Sequence, residues 1–207
     1  MYVFGHRRSG NHLLIEYLKR VFNEPGIKRH IINKNKELLN GIYIFRDGKD
    51  VLASCYEWWR NSGESRVCKI QPSFENITFN EYLRGVDVPF YIHRPPGNVH
   101  PYEIQDGLLA DPIGFWANHV LTYYRLGLPF VEYEKLISDP GTIMARIADR
   151  YRIKFQNPPE KITDLVGCHP RKGVSGDHMN YFNKDDLELF NEKTKEVTKE
   201  KLYDAFI

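Results

Sequence analysis

The stretch Gly5-His6-Arg7-Arg8-Ser9-Gly10-Asn11-His12 puts two glycines and two arginines within eight residues. Glycine lets backbone N–H groups approach a ligand closely, and guanidinium matches the oxygens of phosphate and sulfate. The chemistry open to such a stretch is the holding of an anion. Gly5-x-x-x-x-Gly10 has P-loop spacing, yet Asn11 and His12 stand where that loop requires Lys and Ser/Thr. It reads as a phosphate loop without ATP-type magnesium chemistry. Further basic groups recur at Lys28 to His30, Arg46 and Arg171-Lys172. A ligand able to use so many cations carries several negative charges, as a nucleotide with two phosphate-type groups does. Any one cluster taken alone is more simply solvated surface. If the strands are parallel neighbours, the first three clusters share one edge, and that co-location is what argues for a site.

The elements that must position these groups follow from the hydrophobic pattern. Tyr2-Val3-Phe4 is an extended triplet, and Leu13, Leu14, Tyr17 and Leu18 have helical spacing, so the loop lies between a strand and a helix N-terminus. There the unpaired N–H groups and the macrodipole favour negative charge. The helix fades near Asn23 to Gly26, and Ile27 to Ile32 reads as a short strand. Ile42 to Phe45 is an apolar run typical of a buried parallel strand. Asp50 is placed to cap the following helix, which carries Val51, Leu52, Cys55, Tyr56 and Trp59. Two strand, polar loop, helix units imply a parallel sheet with ligand-binding loops at its C-terminal edge. Later in the chain come a capping box at Thr78 to Glu81, an amphipathic helix through Phe115 to Tyr124 that stops at Gly127, a strand at Pro129 to Tyr133, a helix started by Asp139-Pro140, a basic glycine-rich loop at Arg171 to Asp177, and a polar terminal helix from about Lys184. Residues 61–111 form an irregular excursion that could cover or line a substrate site.

The 207 residues suit one domain, here 1–207, with no repeat or low-complexity tract. A hydrophobic fraction of 42% with 27% charged residues is globular, and a net charge of +2 gives no sign of nucleic-acid binding. Cys55, Cys68 and Cys168 have neither metal-ligand spacing nor an even count, which suits free thiols in a reducing compartment. No apolar run reaches the length of a membrane span, and Arg7-Arg8 lacks the context of an export signal. The expected location is cytoplasmic.

Taken in order, these segments resemble the 3′-phosphoadenosine 5′-phosphosulfate (PAPS)-dependent sulfotransferases, in a short, prokaryotic- or viral-type form. Arg7-Arg8-Ser9-Gly10-Asn11 resembles the 5′-phosphosulfate loop, and Lys28-Arg29-His30 the Lys-x-His segment of the catalytic base. Ile44 to Ser54 is similar to the 3′-phosphate segment, with Arg46 and Ser54 eight residues apart. Phe115 to Val120, Tyr133 to Pro140, and Arg171 to Asp177 continuing to Asn180 and Phe182 resemble the helix, the Tyr-Glu strand end and the Arg-Lys-Gly loop that follow in the family. The resemblance implies an α/β, three-layer fold with a central parallel sheet, a P-loop-like 5′-phosphosulfate loop and helices on both faces. It implies PAPS as co-substrate, adenosine 3′,5′-bisphosphate as product, and no required metal. Arg8, with Arg7 and the N–H groups of Ser9, Gly10, Asn11 and His12, would hold the 5′-phosphosulfate. Arg46, Ser54, Arg171, Lys172 and the Gly173 N–H would hold the 3′-phosphate, with Tyr133 against the nucleotide. His30 would accept the acceptor hydroxyl's proton, histidine being the side chain that titrates near neutrality, while Arg8 and Lys28 neutralise the leaving group.

The departures are specific. Asn11-His12-Leu13 replaces Thr-Thr-Trp, so the aromatic partner of adenine is missing, and the family's dimerisation motif has no match. The implied partner is a small-molecule or glycan hydroxyl acceptor. Two other function classes remain: a P-loop kinase or other NTPase, against which Asn11 argues, and a non-catalytic nucleotide- or polyanion-binding module. Trp58, Trp59, Phe90, Tyr91 and Tyr102 could line an acceptor pocket, core being the commoner fate of such residues.

Overall fold

The computed structural model describes residues 1–6, 8–23, 27–29, 40–61, 76–85, 110–162 and 175–207. Four short strands, β1 (Tyr2–Phe4), β2 (Ile27–Arg29), β3 (Gly41–Phe45) and β4 (Phe130–Glu132), pair in the order β2-β1-β3-β4, every pairing parallel. Phe4 lies opposite both Arg29 and Tyr43, and Phe45 opposite Glu132. The strands therefore end on one edge, from which Gly5 and Arg46 begin their loops and beyond which the chain continues from Arg29.

Seven helices join them among the described residues: α1 (Asn11–Phe22), α2 (Gly48–Asn61), α3 (Phe79–Arg84), α4 (Pro112–Arg125), α5 (Tyr133–Ser138), α6 (Pro140–Tyr151) and α7 (Lys184–Thr194). Their ends have local causes. Asn23, at φ 56°, closes α1 by donating its N–H to the Leu18 and Lys19 carbonyls. The Asp139 side chain accepts from the Thr142 N–H at 3.1 Å, with Pro140 opening α6, and Thr78 with Glu81 forms the expected capping box. Two expectations shift. Tyr133 opens α5 instead of ending β4, because Glu132 is the last residue with a strand partner across from it. Asp50 lies inside the first turn of α2, which begins at Gly48, and so is not the cap of that helix.

The residues group into two compact units, one comprising Met1–Asp47, His119–Ser175 and Glu196–Ile207, the other Gly48–Asn118 and Gly176–Lys195. In the first, strand alternation sends Val3, Ile42, Ile44 and Val131 to one face, where they pack with Leu14, Leu18, Ile143 and Ile147 of α1 and α6. Phe4, Tyr43, Phe45 and Phe130 face the other way, meeting Tyr123 of α4 and Phe206 at ring separations of 5.0–5.9 Å. Helices thus cover both faces of a buried parallel sheet, as the expected three-layer α/β architecture requires.

In the second unit, Tyr56 donates to the Ile77 carbonyl at 2.8 Å, and Phe79 packs on Tyr56 and Phe182. The buried Asp186 carboxylate accepts from Asn80 at 2.7 Å and Arg84 at 2.8 Å, tying α7 to α3. No helix among the described residues is long and apolar enough to cross a membrane.

Candidate active site

The loop between β1 and α1 is fastened at several points. Ser9 donates its N–H to the His6 carbonyl at 3.2 Å, closing a turn. The buried Asn11 side chain points back, its amide donating to the Gly5 and His6 carbonyls at 3.3 Å each. Asn11 is therefore a fastener of the loop, which explains how it can stand where a P-loop has its ligand lysine. Arg8 adopts φ 66° and Gly10 φ 97°, both left-handed. A β-carbon on Gly10 would fall onto the Tyr133 ring, so only glycine fits.

Gly10 is also the N-cap of α1, with no side chain capping the helix and no acidic residue in its first turn. The N–H groups of that turn have no intrahelical partners, and the helix dipole adds positive potential. The geometry fits a tetrahedral oxyanion, with Arg8 as the neighbouring cation. His12 is exposed in the first turn, whereas Leu13 is buried in the sheet-facing core. Leu13 is thus a packing residue where the family pattern has its tryptophan.

Arg46, the first residue after β3, is buried at 8% exposure. Its Nη1 donates to the Arg8 carbonyl at 2.9 Å, and its guanidinium carbon lies 4.7 Å from the centre of the Tyr133 ring. Next to it, the Asp47 N–H donates to Glu134 Oε1 at 3.3 Å. The other carboxylate oxygen of Glu134 is buried with no hydrogen-bond partner among the described residues. Burial pushes this carboxyl above its ordinary range, against the opposing pull of the Glu134 and Asp47 N–H groups and of Lys199. Residues 133 and 134 thus bracket residues 46 and 47. That pairing was not visible in the sequence beyond the Tyr-Glu dipeptide.

Ser54 is a buried residue of α2 in the second unit. One turn earlier, the nearly fully buried Asp50 carboxylate accepts the Gly176 N–H at 2.7 Å, the His178 N–H at 3.0 Å and a 2.8 Å bond with His178 Nδ1. Asp50 is thereby the anchor of the segment that follows the basic loop. Sequence reading missed that role, because its only local signal is an acid in a first helical turn. A second unforeseen feature lies on the α4 side of the sheet. Tyr43 shares a 2.9 Å hydrogen bond with His119 Nδ1, and the His6 ring meets His119 edge-on at 5.5 Å. Burial, then Tyr123, holds the Tyr43 phenol well above its usual range, so it stays protonated.

Of the residues singled out from sequence, Arg8, Gly10, Arg46 and Tyr133 are brought together, with Ser9 and Asn11 shaping their loop. Lys28 lies on β2, whose register puts its neighbour Arg29 beside Phe4. Arg7, His30, Arg171, Lys172 and Gly173 lie outside the described residues, as do Cys68, Cys168, the end of the expected second strand and most of the excursion.

Comparison with known proteins bears on this arrangement. No curated protein matches the chain. Among solved structures, mouse sulfotransferase SULT7A1 complexed with PAP superposes with a TM-score of 0.61 at 19% identity, over 95% of this chain and 84% of that one, a likeness of fold. The sulfotransferase domain family matches residues 27–169, well over half of the sequence. A parallel-sheet fold with an uncapped helix N-terminus behind its first strand, together with that match, establishes that the chain belongs to the sulfotransferase family.

Proposed function

We propose that this sulfotransferase carries the sulfuryl group of PAPS to a hydroxyl of a small-molecule or glycan acceptor. The observation that supports it most directly is the uncapped N-terminus of α1 behind Arg8 and Gly10, a cradle suited to a phosphosulfate. PAPS is the co-substrate and adenosine 3′,5′-bisphosphate the product. In this reading Arg8, with Arg7 and the N–H groups of Ser9 to His12, holds the 5′-phosphosulfate. Arg46, Ser54, Arg171, Lys172 and the Gly173 N–H hold the 3′-phosphate. The chain is read as one sulfotransferase domain acting in the cytoplasm, its 61–111 excursion forming the acceptor side.

The reaction is an in-line displacement at sulfur. The acceptor oxygen forms the new S–O bond as the bond from sulfur to the bridging oxygen breaks, and that electron pair leaves on the 5′-phosphate. His30 takes the hydroxyl proton, and Arg8 with Lys28 neutralises charge growing on the leaving oxygen. Losing one such charged donor is expected to cost about 2.7–4 kcal/mol in the transition state, by analogy with oxyanion donors.

The test is His30→Ala assayed with PAPS and a panel of phenols, alcohols and sugars, alongside bisphosphate binding. Transfer should fall by about 10²–10⁴-fold with bisphosphate affinity unchanged. Transfer that survives the substitution removes His30 as the base. ATP with magnesium stabilising the protein as well as the bisphosphate does would count against PAPS itself.

A further inference from the structure

We infer that Arg46 is a strut of the 5′-phosphosulfate loop, positioning that loop's backbone in addition to facing the 3′-phosphate; the inference rests on reading the loop as an anion cradle. Arg8 is a non-glycine residue held at φ 66°, a strained left-handed conformation that persists only where surrounding contacts over-determine it. The Arg46 Nη1 bond to the Arg8 carbonyl, 2.9 Å long and charge-assisted, is such a contact.

The guanidinium is itself fixed. Arg46 as a residue is 8% exposed, and its guanidinium carbon lies 4.7 Å from the centre of the Tyr133 ring. The same ring blocks any β-carbon on Gly10. Arg46 and Tyr133 therefore bear on the loop at residues 8 and 10, on either side of Ser9, while Asn11 holds its beginning through the Gly5 and His6 carbonyls. Arg46 directly follows Phe45, whose register against Glu132 is fixed by the sheet, so its backbone starts from a position that the sheet sets.

One side chain can serve both ends because guanidinium carries five N–H donors in a rigid plane. One of them goes to the Arg8 carbonyl, and the flat face lies on Tyr133. Lysine has the charge but neither the plane nor the fork. The loop geometry and the 3′-phosphate contact are thus coupled through one residue, and removing it harms recognition of the 5′ end as well.

The experiment measures amide hydrogen exchange of residues 8–12 in the ligand-free protein, and binding of adenosine 3′,5′-bisphosphate and of adenosine 5′-phosphosulfate, which lacks the 3′-phosphate. Wild type, Arg46→Ala and Arg46→Lys are compared, with urea unfolding reporting global stability. The strut requires exchange at residues 8–12 to accelerate by at least about tenfold in Arg46→Ala, beyond any change in global stability, and the 5′-only ligand to weaken as well. Arg46→Lys should change in the same direction despite its charge, and is read alone if Arg46→Ala does not fold. Unchanged exchange, with weakening confined to the bisphosphate, would reduce Arg46 to a 3′-phosphate contact and overturn the inference. If wild type binds neither nucleotide, the PAPS reading fails while the exchange data still decide the strut.

Discussion

At the scale of single residues, the loop depends on what a side chain at position 10 would meet. Gly10 and Gly127 share left-handed backbone, at φ 97° and 72°, but differ in surroundings: the Tyr133 ring stands over Gly10, and nothing lies within 4 Å of where a β-carbon on Gly127 would go. Gly127→Ala should therefore lose only the conformational term, about 1–2 kcal/mol. Gly10→Ala should lose that and, in displacing a packed ring, about 1–3 kcal/mol more. Urea midpoints at constant m-value give the comparison. Equal losses would mean that Tyr133 is not pressed against the turn. Bisphosphate affinity should fall in the Gly10 variant alone.

The element whose placement matters most is the junction of β3 with α2, where the Glu134 carboxylate, at the start of α5, receives the Asp47 N–H. Burial raises the pKa of Glu134 above its unfolded value, so its ionised form is disfavoured in the folded protein. The sign follows from proton linkage. As pH falls through the raised folded pKa toward the unfolded one, the native state binds a proton that the unfolded chain does not yet bind, and this group's contribution to stability rises. Glu134→Gln keeps an acceptor for Asp47 and removes the ionisation. Its urea midpoint should exceed that of wild type at neutral pH, with the difference shrinking as pH approaches the ordinary glutamate range. A difference that is flat across that range would mean that Glu134 is not held protonation-prone by burial.

At the scale of the molecule, a net charge of only +2 supplies little long-range field, so recognition of a bisphosphate has to rest on cations close to it. Salt should then act on the ligand more than on the fold. Titration calorimetry with adenosine 3′,5′-bisphosphate should record a Kd that rises several-fold as ionic strength goes from about 0.05 to about 0.5 M, a range over which screening becomes short relative to the ligand. Urea midpoints over the same range should change little. A Kd indifferent to salt would remove charge neutralisation as the basis of recognition.

Periodicity and punctuation are local properties, and they were enough to read β1, α1, β3, the caps of α3 and α6, and the loop with its glycines. They also carried the family, whose match spans residues 27–169 and so takes in the Lys28-Arg29-His30, Ile44 to Ser54, Phe115 to Val120 and Tyr133 to Pro140 segments. What they could not carry is partnership between distant residues. That Leu13 is core and that Arg46 reaches the Arg8 carbonyl depend on which strands become neighbours, and that Asp50 collects Gly176 and His178 depends on how the second unit packs. A buried carboxylate or guanidinium is stable only with its hydrogen bonds made, and its partners come from wherever the sheet register brings backbone within reach. The sequence alone determined an α/β sulfotransferase with a glycine- and arginine-bearing loop after its first strand; only the tertiary structure decided which side chains pack in the core and which hold that loop.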